Sequence, residues 1–252
     1  MSGGAYEVAE SASAGRLPDG LRVYAVGDIH GRFDLLQELA AKIAHDIAAA
    51  PVERAVEVYV GDYVDRGPDT RAVVEWLIAT PPLGSERICL MGNHEDLLLR
   101  ALDDPSAMSN WLLNGGGETI ASYLAGRNSP DFLTSDSLRA AFAAALPASH
   151  RAFFASLPRT AILGGYLFVH AGLRPGIPLQ EQDADDLIWI REAFLESDAD
   201  FGKIVVHGHT PVEAPDMRRN RINIDTGAVF SGRLTCVALE GKTRRFLQAT
   251  RD

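Results

Sequence analysis

The stretch Val58-Tyr59-Val60-Gly61-Asp62-Tyr63-Val64-Asp65-Arg66-Gly67-Pro68 begins as a short apolar run of strand-forming residues. It then breaks into a glycine-bounded loop carrying two carboxylates and a guanidinium. The same grammar recurs on both sides. Val23-Tyr24-Ala25-Val26 leads into Gly27-Asp28-Ile29-His30-Gly31, and Ile88-Cys89-Leu90-Met91 leads into Gly92-Asn93-His94-Glu95. From Asp28 to Asp62 is 34 residues and from Asp62 to Asn93 is 31, the lengths of successive βαβ units. In an open α/β sheet, ligands bind beyond the carboxyl ends of the strands, so three such loops converge on one sheet edge. A single Gly-Asp or Gly-Asn pair is ordinary turn chemistry. Several at strand ends, with complementary ligand types, make a site.

The remainder of the chain supplies the body for that edge. Leu35, Leu39, Ile43 and Ile47 recur every four residues and predict an amphipathic helix; His45 on it reads as a solvated or locally bonded histidine. A second helix is expected from Pro68, with Val73, Val74, Leu77 and Ile78 as its buried stripe, and a third from about His94. Residues 103–158 are alanine-rich and lack a strand pattern, which predicts a helical insertion. In it Trp111 is read as packing and His150 as a surface residue. Strands return at Ala161-Ile162-Leu163, at Tyr166 to Val169 before His170, and at Ile204 to Val206 before His207-Gly208-His209. Two sets of strands around a helical insertion predict an α/β fold of two face-to-face sheets with helices outside. Residues 1–20 read as a mobile leader the fold does not need, and 21–252 as a single domain.

Composition narrows the function. A formal charge of −10 argues against a general nucleic-acid or anionic-membrane surface, so phosphate specificity must come from local cations. The two cysteines, Cys89 and Cys236, lie in apolar runs and read as buried free thiols, which suits a cytoplasmic location. No apolar run is long enough for a membrane span.

Asp28, His30, Asp62, Asn93, His170 and His209 offer carboxylate, imidazole and amide ligands without a thiolate. That mixture suits two divalent ions, manganese, iron or zinc, sharing Asp62. The expected partition is Asp28, His30 and Asp62 on one ion, and Asp62, Asn93, His170 and His209 on the other. Two ions roughly 3.5–4 Å apart can generate a hydroxide between them for in-line attack on a phosphoryl group. His94 is expected as general acid with Asp65 holding its tautomer. Arg66 and Arg191 are expected as phosphate anchors, with Asn93 also at the substrate phosphate, and His207 as a structural neighbour.

The motifs GDIHG, GDYVDRG, GNHE, HAG and GHTP, in that order, resemble the metallophosphoesterase fold and, within it, the PPP-type serine/threonine protein phosphatases. The likeness runs from about Val23 to Leu239. Trp111 to Gly117, Ile188 to Glu192 and Ile224 to Phe230 are similar to stretches of the bacterial and bacteriophage branch. The resemblance implies a central β-sandwich flanked by helices, a binuclear centre usually studied with manganese, and hydrolysis of phosphomonoesters without a phosphoenzyme. It also strengthens Arg191 and selects His209 over His207. Symmetrical diadenosine tetraphosphate hydrolases share the fold but typically carry Ala at the position of Asp65 and GNHD where this chain has GNHE, so both positions favour a phosphoprotein substrate. The alternatives are a dinucleoside tetraphosphate or RNA-end pyrophosphohydrolase, and a non-catalytic phosphate-binding module.

Overall fold

The computed structural model describes residues 6–8, 14–126 and 134–251. Strands β2 (Leu21–Val26), β3 (Arg54–Tyr59) and β4 (Glu86–Cys89) run parallel, linked by helices α1 (Phe33–Ala49) and α2 (Thr70–Ala79), and β4 feeds α3 (Asn93–Asp103). Every residue of β2 is buried. Val23 and Ala25 point between the sheets, while Tyr24 and Val26 point to the helices. This is why the run reads as continuously apolar instead of alternating.

After the helical segments, β5 (Thr160–Leu163), β6 (Tyr166–Val169), β7 (Ile204–His207), β8 (Asp216–Met217) and β9 (Arg221–Asn223) form the second sheet. Its order is β1-β5-β6-β7-β9-β8, where β1 is Tyr6–Val8. The first sheet has the order β11-β10-β2-β3-β4, with β10 (Arg233–Glu240) and β11 (Thr243–Thr250). The core between the sheets is a mainly branched-aliphatic layer built on Val23, Val56, Val58, Val206 and Ile222, joined by the ring of Phe168, all at 0% exposure. A larger core lies between the sheets and their helices. The α/β sandwich flanked by helices, with a helical insertion, is therefore as expected. None of the described helices is long and apolar enough to cross a membrane.

Four details depart from the sequence expectations. The described part of the expected leader is built into the body: Tyr6–Val8 pairs parallel with Ala161 to Leu163, and Leu17 is fully buried. Residues 1–5 and 9–13 lie outside the described residues. The two last strands return to the first sheet, β10 pairing antiparallel with β2 from Cys236↔Val26 to Glu240↔Arg22. Helix α2 begins at Thr70, two residues after Pro68, and Ile78 is exposed instead of buried. Cys236 is buried, but Cys89 is only partly so.

Helix α1 is tied to the first sheet by a polar clasp. Asp46 accepts from both terminal nitrogens of Arg245, each at 2.9 Å, and from the Tyr24 hydroxyl at 2.6 Å. The paired Arg245, assisted by Tyr24 and Arg22, holds the Asp46 carboxyl down at about 2. A depressed carboxyl contributes stability above its unfolded value near pH 4 and loses it as pH falls toward the folded value. Asp46→Asn is expected to destabilise by about 1–2 kcal/mol at neutral pH. In urea melts the gap to the parent chain should persist at pH 5 and shrink at pH 3.

Candidate metal centre

The carboxyl ends of β2, β3 and β4 in one sheet, and of β6 and β7 in the other, open onto one edge of the sandwich. Loops leaving those ends bring Asp28, His30, Asp62, Asn93, His94, His170 and His209 together, all at 5% exposure or less. Two triads emerge, each with ligand atoms within 4.8 Å of one another: His30, Asp62 and His94, and Asp62, His170 and His209. Asp62 belongs to both. His30 Nε2 lies 3.5 Å from Asp62 Oδ2, and His170 Nε2 lies 3.4 Å from Asp62 Oδ1.

The hydrogen bonds fix which nitrogens are free. His30 Nδ1 donates to the Val64 carbonyl at 2.8 Å, and His170 Nδ1 donates to the Val60 carbonyl at 3.1 Å. A carbonyl only accepts, so both rings carry the proton there and turn an Nε2 lone pair inward. Asn93 Oδ1 sits 2.9 Å from His170 Nε2 and 2.9 Å from His209 Nδ1. On His170, therefore, lone pair faces lone pair. Asp28 Oδ1, His94 Nε2 and His209 Nε2 are buried without a hydrogen-bond partner. Buried polar atoms left unpaired around a carboxylate are what a divalent cation satisfies, and the N/O donor set fits a borderline metal.

Electrostatics agree. Burial pushes Asp62 up, but the surrounding imidazoles, His170 first, pull it below its ordinary value, so it is an anion. Burial holds His30 down at about 3 and His209 at about 2, and lowers His170. These are neutral rings with lone pairs to give. Burial, followed by the charges of Asp225 and Asp62, drives Asp28 well above the usual carboxylate range, and burial lifts Asp225 to about 6. Such crowding of acids calls for positive charge between them.

A calcineurin-like phosphoesterase family model matches residues 21–233. The chain belongs to the calcineurin-like phosphoesterase family. It is an enzyme of that metallophosphoesterase superfamily with a binuclear metal site. It is 28% identical over 232 residues to the bis(5'-nucleosyl)-tetraphosphatase PrpE (asymmetrical) of Anoxybacillus flavithermus, covering 84% of this chain and 88% of that one. The same-named protein of Bacillus subtilis is 29% identical over 230 residues, covering 83% and 87%. Among solved structures, a putative diadenosine tetraphosphatase aligns with a TM-score of 0.66 at 20% identity, over 98% of this chain and 99% of that one. The cold-active protein-tyrosine phosphatase of a psychrophilic Shewanella aligns at 0.54 and 18%, over 98% and 83%. At these identities the structural likenesses speak for the calcineurin-like fold alone.

Within this phosphoesterase centre a seventh side chain stands among the six expected ligands. His94 joins His30 and Asp62, the two rings meeting edge to face at 4.7 Å, while Asp28 stands beside that triad. Asp28 Oδ2 accepts from the His209 N–H at 3.0 Å, and the charge of Asp225 also acts on its carboxyl. His94 Nδ1 donates to Asp65 at 2.7 Å. Asp65 in turn accepts from Trp111 Nε1 at 2.9 Å and from the Thr119 hydroxyl at 2.6 Å. Trp111 is thus packing, as expected, but packing that holds a site carboxylate. The close approach of its ring explains Gly116, where a Cβ would sit 2.6 Å from the indole. Gly115, at φ 99°, gives its carbonyl to the Arg66 N–H.

Arg66 NH1 donates to His30 Nε2 at 2.9 Å, and exposed Arg191 donates to the Thr210 hydroxyl at 3.1 Å beside the second triad. His207 is buried against Phe194 with Nδ1 near the Gly208 carbonyl, a structural position. His45 is exposed as expected. His150 is not the surface residue its small and charged neighbours suggested: it is 4% exposed and bonded to the Tyr123 hydroxyl at 2.7 Å.

Glu95 is the residue whose job sequence reasoning mistook. It accepts four backbone N–H groups, from Asp62, Tyr63, Val64 and Gly92, at 2.8–3.2 Å, and is fully buried. Its side chain is used up in clamping two ligand loops together and cannot read a substrate. The difference between GNHE and GNHD is therefore a difference in loop packing. Glu95→Ala leaves four N–H groups without their acceptor and should cost at least about 2 kcal/mol in urea unfolding.

Manganese titrated calorimetrically into stripped protein should bind with two ions per chain, and Asp62→Asn should weaken both. Metal at a hundredfold its dissociation constant should stabilise folding by about 2.7 kcal/mol per site, read as a rise in Tm.

Proposed function

We propose that this chain is a metal-dependent hydrolase of dinucleoside tetraphosphates that cuts the phosphate chain unequally, into a nucleoside monophosphate and a nucleoside triphosphate. The observation carrying the proposal is near-full-length similarity to curated relatives that are named asymmetrical bis(5'-nucleosyl)-tetraphosphatases. Asp65 and GNHE argued only against the symmetrical hydrolases. Neither bears on an asymmetric one.

Asp28, His30, Asp62, Asn93, His170 and His209, with His94 at the edge of the first triad, would hold two divalent cations. When bound, such ions supply Lewis-acid charge at phosphoryl oxygens and make water nucleophilic at neutral pH. The chain's own groups do the remainder. Arg66 and Arg191 each offer a guanidinium fork to non-bridging phosphoryl oxygens. His94 holds a proton: burial works against it, but Asp62 and Asp65 outweigh burial and raise its pKa. Asp65 fixes the Nδ1–H tautomer, so Nε2 is the atom aimed at the centre. Thr119 and Trp111 keep Asp65 in place.

That dyad favours a second reading, a phosphoprotein phosphatase. A departing serine or threonine alkoxide is strongly basic and needs a proton in the transition state. A departing phosphate oxygen, with a second pKa near about 6, needs one far less. A substrate panel on manganese-loaded enzyme separates the two. The proposal expects a higher kcat/KM for diadenosine tetraphosphate than for phosphoseryl or phosphothreonyl peptides, with AMP and ATP as products. The reverse order would transfer the assignment to the phosphatase. His94→Asn should lower kcat on a phosphoseryl peptide by about 10²–10⁴-fold, and much less on the dinucleotide. Two ions retained in that variant would make His94 the proton donor; loss of one would make it a ligand. Because the raised pKa keeps His94 protonated below it, activity toward the peptide should fall on the alkaline side.

A further inference from the structure

Among the described residues only two large aromatic side chains are exposed, Trp189 at 36% and Phe230 at 74%. Both border the metal centre. The ring of Trp189 meets that of His209 edge to face at 5.9 Å, against the second triad. Phe230 carries the Arg66 guanidinium over its ring at 5.8 Å, and Arg66 reaches His30 of the first triad. Exposed aromatic rings are costly surface for a soluble chain, and two placed only at the mouth of a phosphate-handling site mark a ligand with flat apolar parts joined to anionic ones. Trp189 also forms one wall of an open cavity of about 590 Å³, whose other lining includes Arg100, Asp104 and Asn110. That volume lies within the range that accommodates small organic ligands.

We infer that Trp189 and Phe230 are two nucleobase platforms, one beside each triad, on which the bases of a dinucleoside polyphosphate stack while its phosphate chain lies across Arg66 and the centre. The inference rests on the proposed dinucleotide substrate and names the residues that select it. Neither ring contributes a ligand atom or a proton. Their effect is on affinity for the nucleoside ends, and stacking on a single aromatic ring is worth about tenfold or more on alanine substitution.

The test compares parent enzyme with Trp189→Ala, Trp189→Phe and Phe230→Ala, each checked for two bound manganese ions. Each alanine variant is expected to lower kcat/KM for diadenosine tetraphosphate about tenfold relative to that for inorganic tripolyphosphate, mainly through KM, with Trp189→Phe restoring most of the loss. Equal losses on both substrates, or a loss confined to phosphotyrosyl peptides, would overturn the inference. A binding readout separates its failure from that of the proposed activity. A methylene-bridged diadenosine tetraphosphate should quench tryptophan fluorescence in the parent and not in Trp189→Phe, in which Trp76 and Trp111 remain. Quenching without hydrolysis would sink the activity and keep the platform. No quenching would sink the platform even if hydrolysis is found.

Discussion

Asp62 is a charged carboxylate at 2% exposure, and that one fact organises the surrounding structure. An isolated buried anion is expensive, and the protein does not neutralise it with an arginine or a lysine. It surrounds Asp62 with imidazoles, three of them kept neutral by burial, and adds the amide oxygen of Asn93 within reach of two of those rings. The result is an anion wrapped mostly in lone pairs: within the two triads only His94, its pKa raised, brings positive charge, and the three neutral rings are left with electron pairs to give to cations. The demand for two cations is thus a property of the fold's interior and precedes any question of substrate.

Holding that arrangement requires backbone that chains seldom adopt. The non-glycine residues with positive φ among those described are His30, Asp62, Asp65, Arg66 and His209, every one in a loop of the centre. Conformations of this kind cost on the order of 1–3 kcal/mol each and persist when neighbours over-determine them. Here each of the five has its own N–H engaged. His30 donates to the Asp62 carbonyl, Asp62 to Glu95, Asp65 to the Thr119 hydroxyl, Arg66 to the Gly115 carbonyl and His209 to Asp28. The acceptors come from four different parts of the chain. The sandwich is the rigid frame that lets them meet.

This division explains what could be read from the sequence. Ligand types at strand ends are local: Asp28, His30, Asp62, Asn93, His170 and His209 each follow a recognisable apolar run, and the structure gathers all six. Partner choice is not local. Asp65 is held by Trp111 and Thr119, 46 and 54 positions away, and nothing in a helical stretch says which carboxylate its indole will face. Asp225 carried no reading of its own, because its influence on Asp28 crosses from one sheet's loops to the other's. His150 was misjudged from its small and charged neighbours in sequence, although its neighbour in space is the Tyr123 ring and hydroxyl. The return of β10 and β11 to the first sheet is likewise a matter of pairing, which alternation alone leaves open.

The centre itself is indifferent to what carries the phosphate. Divalent cations held here would act on any phosphoryl group whose oxygens can reach them, and in the proposed reading Arg66 and Arg191 grip those same oxygens. Selectivity must therefore come from the two ends of the scissile bond. At one end stands the His94–Asp65 pair, built into the buried loops, whose value as the proposed proton donor would grow with the basicity of the departing oxygen. At the other stands the rim, where aromatic surface is left open to solvent and meets whatever is attached to the phosphate. The buried pair can assist monoesters and anhydrides alike, whereas exposed rings flanking both triads serve a ligand that is flat at its ends. A substrate with a base at either end of a phosphate chain uses both features, and a serine phosphate uses only the first.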